Sequence, residues 1–145
     1  MENKIINRKA DINDLSSLKA LEQECFSEVI RENFEFVLNS KSHMLFVSEI
    51  SGKIVAYAGI SISYEQGDIL SVCVSKDFRR LGLAKSLLEM LFNKAKDLGV
   101  QTMFLEVEED NLPAINLYVA LGFKEISRRK NYYGDKTAII MSKNL

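Results

Sequence analysis

Proline is almost missing from this chain: Pro113 is the only one among 145 residues. No linker, internal repeat or low-complexity stretch interrupts the sequence either, so one domain spanning residues 1–145 is the expectation. Apolar runs are short. None approaches the ~18 residues that cross a bilayer, and no charged, apolar, small-residue pattern opens the chain, which points to a cytoplasmic protein with no membrane contact. Histidine occurs once, at His43, with no cysteine or carboxylate at ligand spacing, so no metal site is expected. There are two cysteines, Cys25 in a helical and Cys73 in a strand-like apolar setting, and both read as reduced core thiols. Net charge is also missing. At −1 it gives no broad affinity for nucleic acid, so any attraction for a polyanion must be local. No Gly-x-Ser-x-Gly elbow occurs, which disfavours a serine hydrolase.

What is present suffices for a folded core. Apolar residues make up 47% and charged residues 27% of the chain, the balance of an ordinary globular domain. Alternation and turn residues predict strands over 4–9, 43–50, 54–63, 67–74, 102–107, 124–132 and 138–143, with Ser51-Gly52 joining the second and third. Helical spacing predicts helices over 14–26, around 34–38 and from Ala84 to about Leu98, the last carrying Leu87, Leu88, Leu91, Phe92 and Ala95 on one face. A fourth begins at Asn111 and Pro113 and leaves through Gly122. Hairpins followed by a strand-helix-strand half imply an α/β fold of the mixed-sheet kind, mostly antiparallel, with about seven strands and four helices.

The turn between the apolar run Ile69–Val74 and the long helix reads Phe78-Arg79-Arg80-Leu81-Gly82-Leu83-Ala84-Lys85. It places cations and small residues at a helix N-terminus, where free amide N–H groups and the positive dipole end suit a phosphate. A Walker A loop is excluded, because Arg79 and Ala84 occupy its glycine positions; a dinucleotide fingerprint is excluded too, because only Gly82 is present. A solvated basic turn is the plain alternative.

The pattern Arg79-x-x-Gly82-x-Ala84 resembles the coenzyme A loop of the GNAT superfamily of N-acetyltransferases. A second block, Leu105-Glu106-Val107, then Asn111-x-x-Ala114-Ile115-x-Leu117-Tyr118, then Leu121-Gly122-Phe123, is similar to the same superfamily. With Arg128-Arg129-Lys130-Asn131-Tyr132-Tyr133 and Ala138-Ile139-Ile140-Met141, it resembles the RimI type, which acetylates the N-terminal alanine of a small-subunit ribosomal protein. The resemblance runs from about Val72 to Met141. It implies a GNAT domain using acetyl-coenzyme A as co-substrate and a protein N-terminus as acceptor, in a monomer or weak dimer. It places the cofactor against Val72, Cys73 and Val74, the turn Arg79, Arg80, Leu81, Gly82, Leu83, Ala84 and Lys85, and Asn111 and Tyr118. It breaks at Val29-Ile30-Arg31, which stand where RimI-type chains commonly carry Pro-Trp-Ser after Cys-Phe-Ser.

Transfer needs a deprotonated amine, a donor for the developing oxyanion and a proton for the departing thiolate. An α-amine with pKa near 8 is roughly 10% neutral at pH 7, so a carboxylate acting through water suffices. Glu106, inside an apolar strand, is the candidate base; the other reading is a strand glutamate in an ion pair. Tyr118 occupies the family's proton-donor position, and on the helix pattern alone is equally a packing residue. Asn111 suits a helix cap and, in the family, a cofactor contact. Glu108 shares a face with Phe104 and Glu106, and with Tyr132 and Tyr133 it is expected to meet the acceptor peptide. The sequence therefore leads to an N-terminal acetyltransferase working by direct attack in a ternary complex. The alternatives are a GNAT enzyme acting on a polyamine or aminoglycoside, and an acyl-coenzyme A-binding regulatory domain without turnover.

Overall fold

The protein, seen here in a computed structural model, is described over residues 4–26, 32–134 and 136–145, with the backbone alone for 131–133. Its strands are β1 (Ile5–Lys9), β2 (His43–Ile50), β3 (Lys53–Ser63), β4 (Gln66–Val74), β5 (Thr102–Glu108), β6 (Lys124–Tyr133) and β7 (Lys136–Asn144). Its helices are α1 (Leu15–Cys25), α2 (Phe34–Asn39), α3 (Leu83–Asp97) and α4 (Leu112–Ala120). The strands form one seven-stranded sheet in the order β1-β2-β3-β4-β5-β7-β6. Its β4–β5 ladder is parallel, and the β1–β2, β2–β3, β5–β7 and β6–β7 ladders are antiparallel. The expected mixed α/β architecture is therefore present. Two compact units divide the chain, one of Met1–Ser61 with Leu70–Leu91 and one of Ile62–Ile69 with Phe92–Leu145.

In the first unit, β2 and β3 meet through two residues, Ser51 (φ 51°) and Gly52 (φ 78°). Two consecutive left-handed residues match the twist of the flanking strands, which is why so short a loop closes the hairpin. Ahead of α1, a 3₁₀ turn over Ile12–Asp14 is capped reciprocally. The Asp11 carboxylate accepts from the Asn13 amide at 2.8 Å, and the Asp11 amide donates to Asp14 at 2.9 Å. Arg8 then grips Asp14 with both guanidinium arms, each at 2.8 Å, and this holds the Asp14 carboxyl below the usual carboxylate range. The core gathers Leu18, Leu21, Phe34, Val47, Tyr57 and Cys73.

One expectation is corrected here. Cys25, at the last turn of α1, and Cys73, on β4, are joined as a disulfide with Cα atoms 6.1 Å apart, not held as separate thiols. The helix and the strand lie 48 residues apart in sequence, so their contact had no local signature.

In the second unit, the period of two on β5 turns Met103, Leu105 and Val107 into the core and leaves Phe104, Glu106 and Glu108 on the other face. The β4–β5 ladder aligns Gln66 with Thr102, Gly67 with Met103 and Asp68 with Phe104. Helix α4 packs through Tyr118, whose ring meets Phe123 edge-on at 5.9 Å, and Phe123 in turn lies 5.7 Å from Phe92.

Candidate active site

In the first unit the strand-to-helix turn is fixed before any ligand is considered. The buried Ser75 donates its amide to the Val55 carbonyl at 2.8 Å and its hydroxyl to Glu24 at 3.1 Å. Glu24 also accepts the Lys76 amide at 2.7 Å, and chiefly that bond, helped less by the Ser75 hydroxyl, holds its carboxyl below the ordinary range against an opposing effect of desolvation. The Arg79 Nε donates to the Val74 carbonyl at 3.1 Å, folding the guanidinium back against the strand end. Arg80 has φ 66° and Gly82 φ 74°, so the turn uses the left-handed region twice, once with a side chain that ordinarily avoids it. A Cβ on Gly82 would meet no atom within 4 Å. The loop thus presents bare backbone to open space beside Arg79, Arg80 and Lys85, all exposed.

Helix α3 is anchored at its first turn. The Ser86 amide donates to the Gly82 carbonyl at 3.0 Å, and the Ser86 hydroxyl accepts from Asn7 of β1 at 2.8 Å, while Asn7 takes the Ser48 hydroxyl at 2.7 Å. Neither Glu24 nor Asn7 is marked by any local sequence pattern. Leu83 is buried and Cys73 is bonded to Cys25, so at these two positions only the backbone remains for a ligand. Val72, Val74 and Ala84 are half-buried, and Leu81 is exposed. Open backbone, a helix N-terminus and three cations fit the pyrophosphate of a coenzyme A.

The second unit holds the acid–base candidates. Glu106 stands outward on β5, its side chain 38% exposed, and accepts from Arg129 Nη1 of β6 at 2.9 Å. Glu106 is thus ion-paired, as one of the two sequence readings had it, and its carboxylate still faces solvent. Glu108 pairs with Lys136 at 3.4 Å, and Arg128 bridges Glu109 and Glu125 at 3.3 and 3.0 Å. The Asn111 carbonyl oxygen accepts the Ala114 amide at 3.3 Å, which makes it the cap of α4. Tyr118 is buried, and burial pushes its phenol up to about 12. That is higher than the ordinary phenol value near 10.

Two expectations fall outside the described residues. The side chains of Tyr132 and Tyr133 do so, and so does the Val29-Ile30-Arg31 segment. Asp68, which the sequence reading did not single out, and Arg129, which it named only within the run Arg128-Arg129-Lys130, both belong to the second unit. Asp68 opens an apolar strand as Glu106 interrupts one, and that shared oddity was its available signal.

Residues 11–123 match the family model described as Acetyltransferase (GNAT) family. A [Ribosomal protein bS18]-alanine N-acetyltransferase of Escherichia coli (strain K12) is 38% identical over 96 residues, which are 63% of this chain and 65% of that relative's length. The enzyme of the same name from Salmonella typhimurium is 32% identical over 133 residues, covering 89% of this chain and 90% of the relative. The crystal structure of the ribosomal-protein-S18-alanine N-acetyltransferase from Escherichia coli superposes with a TM-score of 0.88 at 30% identity, over 97% of this chain and 94% of that one. With the family model covering well over half of its length, the chain belongs to the acetyltransferase (GNAT) family.

Proposed function

We propose that residues 1–145 act as one acetyl-coenzyme A-dependent N-acetyltransferase domain whose acceptor is the N-terminal α-amine of a protein. The N-terminal alanine of a small-subunit ribosomal protein is the first candidate. The observation that carries the acceptor assignment is the likeness, at 32% identity over 89% of the chain, to an enzyme named for that alanine. The acidic face of β5 agrees with it, since a cationic amine gains from Glu106 and Glu108.

The co-substrate supplies an activated acyl group as a thioester. Around it, this chain's residues divide the work. The Gly82 turn and the first turn of α3 take the pyrophosphate, with Arg79, Arg80 and Lys85 offsetting its charge. Glu106 takes a proton from the acceptor ammonium, directly or across one water, so that nitrogen arrives with a free electron pair. Tyr118 holds the proton that the departing sulfur needs. A phenol at about 12 stays neutral, and so able to donate, throughout the physiological range. Its apolar surroundings raise the basicity of a thiolate formed beside it by the same desolvation, which keeps donor and acceptor matched.

A thiol-release assay offering an Ala-led ribosomal-protein peptide beside spermidine and free lysine tests the assignment. Transfer to the peptide in strong preference is the expected result. Preference for spermidine overturns the acceptor in favour of a small amine, and no release with any amine points to a binding domain without turnover.

A further inference from the structure

The cofactor turn of the first unit is bent against the ordinary preference of one of its residues. Arg80, at φ 66°, lies in the left-handed region that a side chain ordinarily avoids, two residues before Gly82 at φ 74°. Such a conformation persists only where its surroundings over-determine it. Three bonds within the segment supply part of that constraint. The Phe78 amide donates to the Ser75 carbonyl at 2.9 Å, the Arg79 Nε to the Val74 carbonyl at 3.1 Å, and the Ser86 amide to the Gly82 carbonyl at 3.0 Å. Each of the three lies wholly on one side of Arg80, so none of them fixes the bend itself.

Two side chains from elsewhere in the same unit hold the two sides of that bend. Before it, Glu24 in the last turn of α1 takes the Ser75 hydroxyl at 3.1 Å with one oxygen and the Lys76 amide at 2.7 Å with the other. After it, Asn7 of β1 donates to the Ser86 hydroxyl at 2.8 Å. Asn7 is itself fixed, since its register partner Ser48, fully buried, donates a hydroxyl to it at 2.7 Å. We propose that Glu24 and Asn7 are positioning residues for the coenzyme A pyrophosphate: they touch no phosphate, and they set its affinity by keeping the turn in its phosphate-binding bend. This rests on the acetyltransferase reading and deepens it.

Backbone N–H groups bind an anion well when they converge before it arrives, and a turn formed only part of the time lowers the apparent affinity by that fraction. Glu24 suits the task because hydrogen bonds to an ionised carboxylate are stronger than neutral ones. The Lys76 amide foremost holds its carboxyl below the ordinary range, so it stays ionised at neutral pH. Its charge cannot itself attract the cofactor, because both are anions, and it acts on Arg79 of the same turn. Charge alone therefore has removal of Glu24 tighten the binding of a polyanion, whereas positioning has the same removal weaken it. The two accounts differ in sign.

The test divides the cofactor in two. Calorimetry measures affinity for 3′-phospho-ADP, which carries the pyrophosphate without the thioester arm. Thiol release compares acetyl-coenzyme A with S-acetylpantetheine, which carries the arm without the pyrophosphate, on whichever amine the wild type accepts. Glu24→Ala and Ser86→Ala should each weaken 3′-phospho-ADP about tenfold and lower kcat/KM for acetyl-coenzyme A by the same factor through KM, with kcat and transfer from S-acetylpantetheine unchanged. Glu24→Gln keeps one acceptor oxygen and should lose less than Glu24→Ala. Asn7→Ala should match Ser86→Ala; it also strips the buried Ser48 hydroxyl of its acceptor, so Ser86→Ala decides where Asn7→Ala does not fold. Unchanged or tighter 3′-phospho-ADP binding in folded Glu24→Ala or Ser86→Ala overturns the inference. So does an equal loss with both donors, which marks these residues as supports of the domain at large. The acetyltransferase reading survives either result; it fails, and the inference with it, if wild type transfers acetyl from neither donor to any amine.

Discussion

Tyr118 shows how one burial event sets a chemical role. Its ring serves the core through Phe123, and the same desolvation that makes it good packing pushes its phenol up to about 12. Burial also pushes the Tyr57 phenol up to about 12, so spectrophotometric titration should find two phenols near that value in wild type and one in Tyr118→Phe. The substitution should cost about 10²–10⁴-fold in kcat with little change in cofactor affinity, and raising the pH should not restore it. Asp14 is the structural counterpart. Its bidentate bond to Arg8 lowers its folded-state pKa, so the stabilisation is present above the unfolded value near 3.9 and is lost as pH falls through the folded one. Asp14→Asn should therefore cost about 1.5–3 kcal/mol in urea unfolding at pH 7. The gap to wild type should close below pH ~4, and a gap unchanged down to pH 2.5 would show that the charge is not its source.

At the scale of elements, the turn into α3 carries its own prediction. Its conformation needs a left-handed residue at Gly82, so even Gly82→Ala, which meets no atom in space, should cost about 1–2 kcal/mol in backbone strain. Alanine at Arg80 or Lys85 should instead leave stability alone, alanine at Arg79 should cost about 0.5–1.5 kcal/mol for its bond to the Val74 carbonyl, and each should weaken acetyl-coenzyme A binding roughly tenfold or more. Calorimetry at low and high salt should show that loss shrinking as charge is screened. Affinity unmoved by all three changes would remove the phosphate role from this turn. Such elements were legible in the sequence because their signals are local. The strand at Ile69–Val74, the helix face of Leu87, Leu88 and Leu91, and the Asn111-x-Pro113 cap each follow from neighbours a few residues apart. The ion pair of Glu106 with Arg129, the grip of Glu24 on the turn and the bond between Cys25 and Cys73 join residues 23, 52 and 48 positions apart. Nothing in the local pattern names such partners. Arg80 was legible as a cation and not as a left-handed residue, because only the closed turn imposes that conformation.

For the whole molecule, the Cys25–Cys73 link closes a 48-residue loop, for which chain entropy gives up to about 4 kcal/mol. Reduction, or Cys25→Ser with Cys73→Ser, should lower unfolding stability by about 2–4 kcal/mol. In a cytoplasmic setting the reducing pool would hold the pair open, so alkylation before and after reductant would report the state the protein actually occupies. In neither state does a cysteine act as acyl carrier in the proposed route. Intact mass after exposure to acetyl-coenzyme A alone should show no added acetyl group, and a cysteine-borne acetyl group chased by amine would replace direct attack with a two-step route.

The most direct measurement of the central claim is mass-spectrometric localisation of the acetyl group on an Ala-led ribosomal-protein peptide that also carries lysine. The account predicts a single acetyl group on the α-amine at neutral pH, formed by wild type and about 10²–10⁴-fold more slowly by Glu106→Gln. Acetylation of the lysine side chain instead, or an undiminished rate in Glu106→Gln, would contradict it.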